Sequence, residues 1–391
     1  MEQKIEVMKS TYIIGGYLIL LSCNSPQETA SNNSFSLLVK DSIQVDYVGM
    51  LDLMDIAPSQ ERILFHNMQN GVILLTDFQG NHLHEMEKRG DSKDSYGPYP
   101  WLPARFLENG NFFMIGLKGY LEFYPNGELV KQIPYQSTDV PNLGGRAAAD
   151  NEFSMHGDNV LIRAITPWGE FNKAEAEYYD NFLQLAKISP QEGKFERFLH
   201  LEQESLFKNG RAYDVTEMMP SFTTHGNKLY VISGTDAHLN IYDINDEFKR
   251  VDRKQIAYPN YNPGEGKEPA KADVRGISLD RAAGKTHVLK TYGDYLIATY
   301  FAGFDFSDRE EYKNLTNESY SAFFEGIEGK YPVRMHVLDL EGNSLADFEL
   351  PNQLDYRQFL IRDGKMWFMS KFNNEEEEDF VKIYQVELVF E

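Results

Sequence analysis

The sequence predicts an all-β protein: a six-bladed β-propeller of four-stranded antiparallel blades, its last blade closed by an N-terminal strand. Three observations predict it. Beyond residue 34, short strand-like runs alternate with turn residues, and no long amphipathic helical pattern appears. The same order of strands and tight turns recurs in six successive units. The sixth unit lacks a fourth strand, while a spare strand precedes the first unit.

The second unit shows the repeat most clearly. Residues 101–107 form its first strand, and Asn109-Gly110-Asn111 turns, because Asn and Gly accept positive φ. Residues 112–115 and 120–124 are the second and third strands, Pro125-Asn126-Gly127 turns again, and 128–133 is the fourth. The first turn recurs near residues 60, 110, 157, 226, 293 and 364, at spacings of 50, 47, 69, 67 and 71. The first two spacings match the roughly 40–50 residues of a four-stranded blade; the longer ones carry insertions. The second turn recurs at 78–80, 191–193, 245–247 and 341–343, often after an apolar-Asp step such as Thr76-Asp77, Tyr242-Asp243 or Leu338-Asp339. A β-sandwich would also repeat strands, but it does not require equivalent turns in six units. Pairing residues 35–46 with the last unit, which ends at strand 380–390, would close the ring and remove an exposed edge.

The first residues read as an address. Lys4 and Lys9 make a short positive region before a mostly apolar run of about ten residues, 12–21. A membrane-spanning helix needs roughly 20, so residues 1–22 read as a signal peptide. The run ends Leu20-Leu21-Ser22-Cys23, which resembles the lipobox of bacterial lipoproteins and implies acylation of Cys23 and a membrane anchor. Asn24 rather than Asp follows, which favours the outer membrane. Residues 23–34, rich in Ser, Asn and Gln, read as a flexible tether, and 35–391 as the propeller. Cys23 is the sole cysteine, so neither an intrachain disulfide nor a Cys-based zinc site is available.

Lipobox, tether and six units with Asp-x-x-Gly outer turns together resemble the six-bladed β-propeller lipoproteins of Bacteroides-type Gram-negative bacteria, many of them domains of unknown function. The resemblance covers nearly all of the mature chain. It implies fold and location and carries no chemistry.

Function must be read from the insertions. In a propeller blade, the first and third turns share one face; the second-to-third loops and the links between blades share the other. The long segments 134–151, 166–181, 202–220, 258–285, 302–332 and 372–379 all fall in the second class. Long loops on a rigid scaffold are where binding resides. Trp101, Arg105, Arg146, Trp168, Arg275, His287, Tyr300 and Arg357 lie in or beside them, as do Arg211, Tyr213 and Arg281. Arginines converging on the channel mouth would favour an anionic ligand or acidic sugar, with aromatic rings as stacking surfaces. The expected partner is a small molecule, glycan or protein. Nucleic acid is not expected, since 60 acidic against 38 basic residues leave a net charge of −22.

No GxSxG elbow, HExxH helix, P-loop or EF-hand loop occurs, and no cofactor or metal is expected. Asp305, Asp308, Glu310 and Glu311 offer oxygens to Ca²⁺ but read better as a solvated acidic loop. His287 starts the innermost strand of the fifth unit on the loop-bearing side. The leading reading is a non-enzymatic binding propeller; the alternative is a propeller hydrolase or lyase using His287 and channel carboxylates.

Overall fold

A computed structural model describes residues 35–136, 147–151, 153–164, 171–277, 279–372 and 378–390. Their strands form six separate four-stranded antiparallel sheets. Five blades follow chain order from the axis outward, over residues 52–87, 105–133, 154–200, 220–255 and 285–349. The sixth contains Leu354–Arg362, Lys365–Ser370 and Phe380–Phe390, with Phe35–Asp46 as its outermost strand. Inner strands meet in turn from blade 3 through 4, 5, 6 and 1 to 2. The chain is a six-bladed β-propeller.

Burial explains why the strands differ in composition. Blades pack face to face, so middle strands are covered on both sides and read as apolar runs. Phe112–Gly116 is buried throughout, and Lys365–Ser370 is buried at its four central positions. Outer strands are polar, as in Lys249–Gln255, which has no buried residue. The closing strand follows the expected bounds and pairs from Phe35 with Phe390 to Asp46 with Phe380. Its Ile43 and Val45 join one cluster with Leu53, Ile63 and Phe65 of blade 1 and Leu360, Trp367 and Ile383 of blade 6. A register shift between Val39 and Asp41 leaves Val39 exposed, so only part of the strand serves the core.

The Asp-x-x-Gly turns have a local cause. Asp77 Oδ1 accepts from the N–H groups of Gln79 and Asn81, and Asp339 Oδ1 from those of Glu341 and Asn343. Gly80 adopts φ +82°, and a Cβ there would stand 2.0 Å from the Gln44 carbonyl of the closing strand. Only glycine allows both the backbone and that approach.

The insertions hold short helices that the sequence pattern does not announce, chiefly Phe306–Lys313 and Tyr320–Gly326. Residues 305–311, expected as a solvated acidic loop, are instead the cap and first turns of a helix. Asp305 accepts from the Asp308 N–H, and Lys330 pairs with Asp305 and Asp308 at 2.8 and 2.7 Å. An anionic N-terminus suits a helix.

Candidate functional site

Each inner strand starts on the loop-bearing face and ends in a tight turn on the other. Lys285 and His287 therefore stand at the loop-bearing mouth of the channel. A register shift between Thr286 and Val288 makes His287 the extra residue of a β-bulge, a device that re-aims a side chain. Its ring lies 4.6 Å from that of Tyr356, and its carbonyl accepts from Ser221. The imidazole has no hydrogen-bond partner among the described residues. The inner strand of blade 6 is irregular between Leu354 and Phe359, and there Arg357 lies exposed with its guanidinium 5.0 Å from the Tyr356 ring.

Two further cations complete the mouth. Lys285 Nζ donates to the Thr216 carbonyl at 2.6 Å. Arg163, at the end of the second strand of blade 3, donates to the carbonyls of Pro220 at 2.7 Å and Asp150 at 3.3 Å. Arg163, Lys285 and Arg357 form no ion pair among the described residues. Burial, then Arg163 and Arg357, pull the Lys285 ammonium down to about 8, against the opposing charges of Glu217 and Asp150. Burial, then Arg357 and Lys285, hold His287 well below its ordinary 6.5. The ring is enclosed by protein and is neutral at pH 7. Three cations thus gather at the mouth of an acidic protein, with Asp150 and Glu217 as the nearby opposing charges.

Below it, the helical turn Ala149–Asn151 crosses the axis. Ala149 packs in the cluster shared by blades 1 and 6, and its carbonyl accepts from Lys290 at 3.3 Å. A channel cavity of about 240 Å³ adjoins it, lined by inner strands of blades 2 to 6 and including Arg105, Asp150 and Arg163.

The candidates read from sequence separate into groups. His287 and Arg357 come together at the mouth. Arg105 stands on the channel wall, 5.3 Å from the Phe153 ring. Trp101 and Tyr300 do not face the mouth. Trp101 is buried and stacks on Tyr135 at 5.8 Å; Tyr300 is fully buried and donates to Asp347. Both rings fill gaps between sheets, where a large half-apolar side chain gains most from burial. Arg275 is exposed on the 258–285 link. Arg211 binds the carbonyls of Glu265 and Gly266, Tyr213 is buried, and Arg281 lies 5.9 Å from the Tyr320 ring. Arg146, Trp168 and Cys23 lie outside the described residues. Lys285 and Arg163 were not anticipated; the start of an inner strand marks Lys285 by the same rule that marks His287.

The long segments also bind one another into a crown over blades 3 to 5. Buried Lys173 donates to Asp214 at 2.6 Å and to the Gly276 carbonyl at 2.8 Å. Arg309 donates to the carbonyls of Asn262, Pro263 and Ala282. Among the described residues no group of three His, Cys, Asp or Glu could hold a metal ion, and no helix is long and apolar enough to cross a membrane.

Fold and mouth define a six-bladed propeller with a cationic channel entrance. Its backbone is similar to that of a DUF4221-family protein from Bacteroides vulgatus, with a TM-score of 0.65 at 10% identity, covering 91% of this chain and 98% of that one. More distant likenesses include a gluconolactonase from Xanthomonas campestris (TM-score 0.44, 8% identity, 89% and 91% covered). BamB from Moraxella catarrhalis is another (0.38, 12% identity, 90% and 100% covered). At these identities the likeness is one of fold alone. No protein-family model and no curated protein matches the sequence.

Proposed function

We propose that the chain is a lipid-anchored binding propeller of the outer membrane that takes an anionic small molecule or acidic sugar at the loop-bearing mouth. The observation that carries this reading is the set of Arg163, Lys285 and exposed Arg357 around a neutral His287, none of the three cations in a direct ion pair among the described residues. A carboxylate there would gain charge-assisted hydrogen bonds in a partly enclosed site.

The position of the closing strand supports the anchoring half. Phe35 packs edge-on against Tyr295, beside a tight turn, whereas Tyr47, just beyond the strand, donates to Asp379 near the loop 372–379. A tether running back from Phe35 to an acylated Cys23 leaves from the tight-turn face. The mouth is then free to point away from the bilayer.

Titration calorimetry with D-glucuronate, and D-glucose as the neutral control, tests the binding half. Glucuronate should bind and glucose should not; equal or absent binding of both would sink it. Labelling cells with a clickable fatty acid tests the anchor. Cys23→Ala should lose the label, and equal label in both proteins would refute acylation there.

One observation favours a second reading, a hydrolase or lyase. The His287 imidazole stands at a β-bulge beside the mouth, neutral and with no hydrogen-bond partner among the described residues, so its ring nitrogens are open to a substrate. Turnover of 4-nitrophenyl glucuronide that disappears in His287→Ala would select the enzyme over the binder.

A further inference from the structure

A second cavity, of about 470 Å³, lies inside the crown and apart from the channel. Its walls come from the 202–220 link, the 258–285 link and the helical insertion of blade 5. Leu279, Leu315, Tyr312 and Tyr320 make one side apolar. The charged groups that line it are Glu217, Glu265, Lys267, Asp280, Arg309 and Lys313.

Most of these charges are already engaged. Lys313 pairs with Glu265 at 3.4 Å and Glu310 at 2.8 Å. Arg309 is committed to three loop carbonyls. Glu217 and Asp280 differ. Glu217 is only 7% exposed. Its Oε2 accepts the Asp214 N–H at 2.7 Å, while Oε1 has no hydrogen-bond partner among the described residues. Asp280 Oδ1 accepts the Ala282 N–H, which leaves Oδ2. The two remaining oxygens converge. A Cβ placed on Gly264 would stand 3.0 Å from Glu217 Oε1 and 3.6 Å from Asp280 Oδ2. Gly264 keeps that point open.

Two carboxylate oxygens, one on a nine-tenths buried side chain, thus face one spot at the edge of an apolar cavity. An unanswered carboxylate oxygen on a buried side chain is costly, and a second carboxylate beside it adds to the cost of the charged form. A cation would answer both, and a volume of this size holds a small organic molecule. We propose that the crown cavity binds a small organic ammonium ion, its charge seated between Glu217 and Asp280 and its apolar or aromatic body against Leu279, Leu315, Tyr312 and Tyr320. Burial, and secondarily Asp280, raise the Glu217 carboxyl from 4.5 to about 7, against the Asp214 N–H and, less strongly, Lys267. Seating an ammonium beside it therefore expels a proton at neutral pH.

Calorimetry with phenethylamine, and 2-phenylethanol as its uncharged counterpart, tests the site in the whole protein. Phenethylamine should bind at least tenfold more tightly than the alcohol. Its heat at pH 7 should depend on the ionisation enthalpy of the buffer, reporting proton release. Glu217→Gln should weaken phenethylamine tenfold or more with the melting temperature kept, since Gln can still accept the Asp214 N–H. Asp280→Asn supplies a second variant should the first disturb the loop. Failure of phenethylamine to bind, equal binding of the alcohol, or undiminished binding in both folded variants would overturn the proposal.

Discussion

The two faces of the propeller are built in opposite ways. On the tight-turn face the Asp-x-x-Gly turns are satisfied from within, as when Asp77 or Asp339 binds the amides two and four residues on. On the loop-bearing face the bonds run between distant segments, as from Lys173 to Gly276 or from Arg309 to Asn262. Local turns fix register and leave little surface to vary. Loops that hold one another form walls, cavities and a mouth, and their charges can serve a ligand instead of a turn. Substitutions on the two faces should therefore fail differently.

The largest effect is expected at the seam between blades 6 and 1, which both faces share. Deleting residues 35–46 removes Ile43 and Val45 from the core and exposes the 380–390 strand as an edge. At ~1.5–3 kcal/mol per buried aliphatic side chain, the loss should reach about 4 kcal/mol. Urea unfolding measures it, and an unchanged midpoint would remove the strand from the structural account. Next comes the crown. Arg309→Ala removes three charge-assisted bonds and leaves the Pro263 carbonyl unanswered, while those of Asn262 and Ala282 keep the Gly284 and Phe304 N–H groups. It should cost about 2–4 kcal/mol, with faster amide exchange in the 258–285 link and little change in the tight turns. Uniform exchange across both faces would erase the contrast.

Acidity sharpens it further. Glu217 titrates at about 7 in the folded protein against an ordinary 4.5. Between these values the folded state holds a proton that the unfolded chain has released. Its stabilising contribution is present below pH 4.5 and is lost as pH rises through 7. Glu217→Gln should abolish that loss, so the variant gains on the wild type by up to about 3 kcal/mol between pH 4.5 and pH 8. Parallel urea curves at the two pH values decide it; a constant difference would mean that Glu217 is not held protonated. The smallest effect belongs to one tight turn. Asp77→Ala removes contacts made only within its own turn and should cost about 1 kcal/mol.

This contrast also explains what the sequence discloses. Five of the six inner turns are legible because Asp, Asn and Gly at fixed offsets carry their own reasons, and the closing strand is legible because the sixth unit lacks a fourth strand. His287 and Arg357 are legible from their places at inner strands. Trp101 and Tyr300 were misplaced because a ring at a strand end looks the same whether it faces a loop or a neighbouring blade. The pairing of Arg163 with Lys285, and of Glu217 with Asp280, joins different blades and links, which no local pattern encodes. The helix Phe306–Lys313 is equally hidden. It rests on its Asp305 cap and on aromatic packing of Phe304 with Tyr312, Phe323 and Tyr331, contacts that fall between segments.

One paired measurement tests the central claim, that ligand binding belongs to the loop-bearing mouth and turn stability to the opposite face. Glucuronate titrations and thermal melts are run on wild type, Arg357→Ala and Asp77→Ala. Arg357→Ala should lose about 10–100-fold in affinity, the equivalent of a charge-assisted hydrogen bond of ~1.5–3 kcal/mol, with its melting temperature unchanged. Asp77→Ala should melt earlier and bind as the wild type does. Undiminished affinity in Arg357→Ala, or affinity that simply follows the melting temperature in both variants, would contradict the assignment of the site to the mouth.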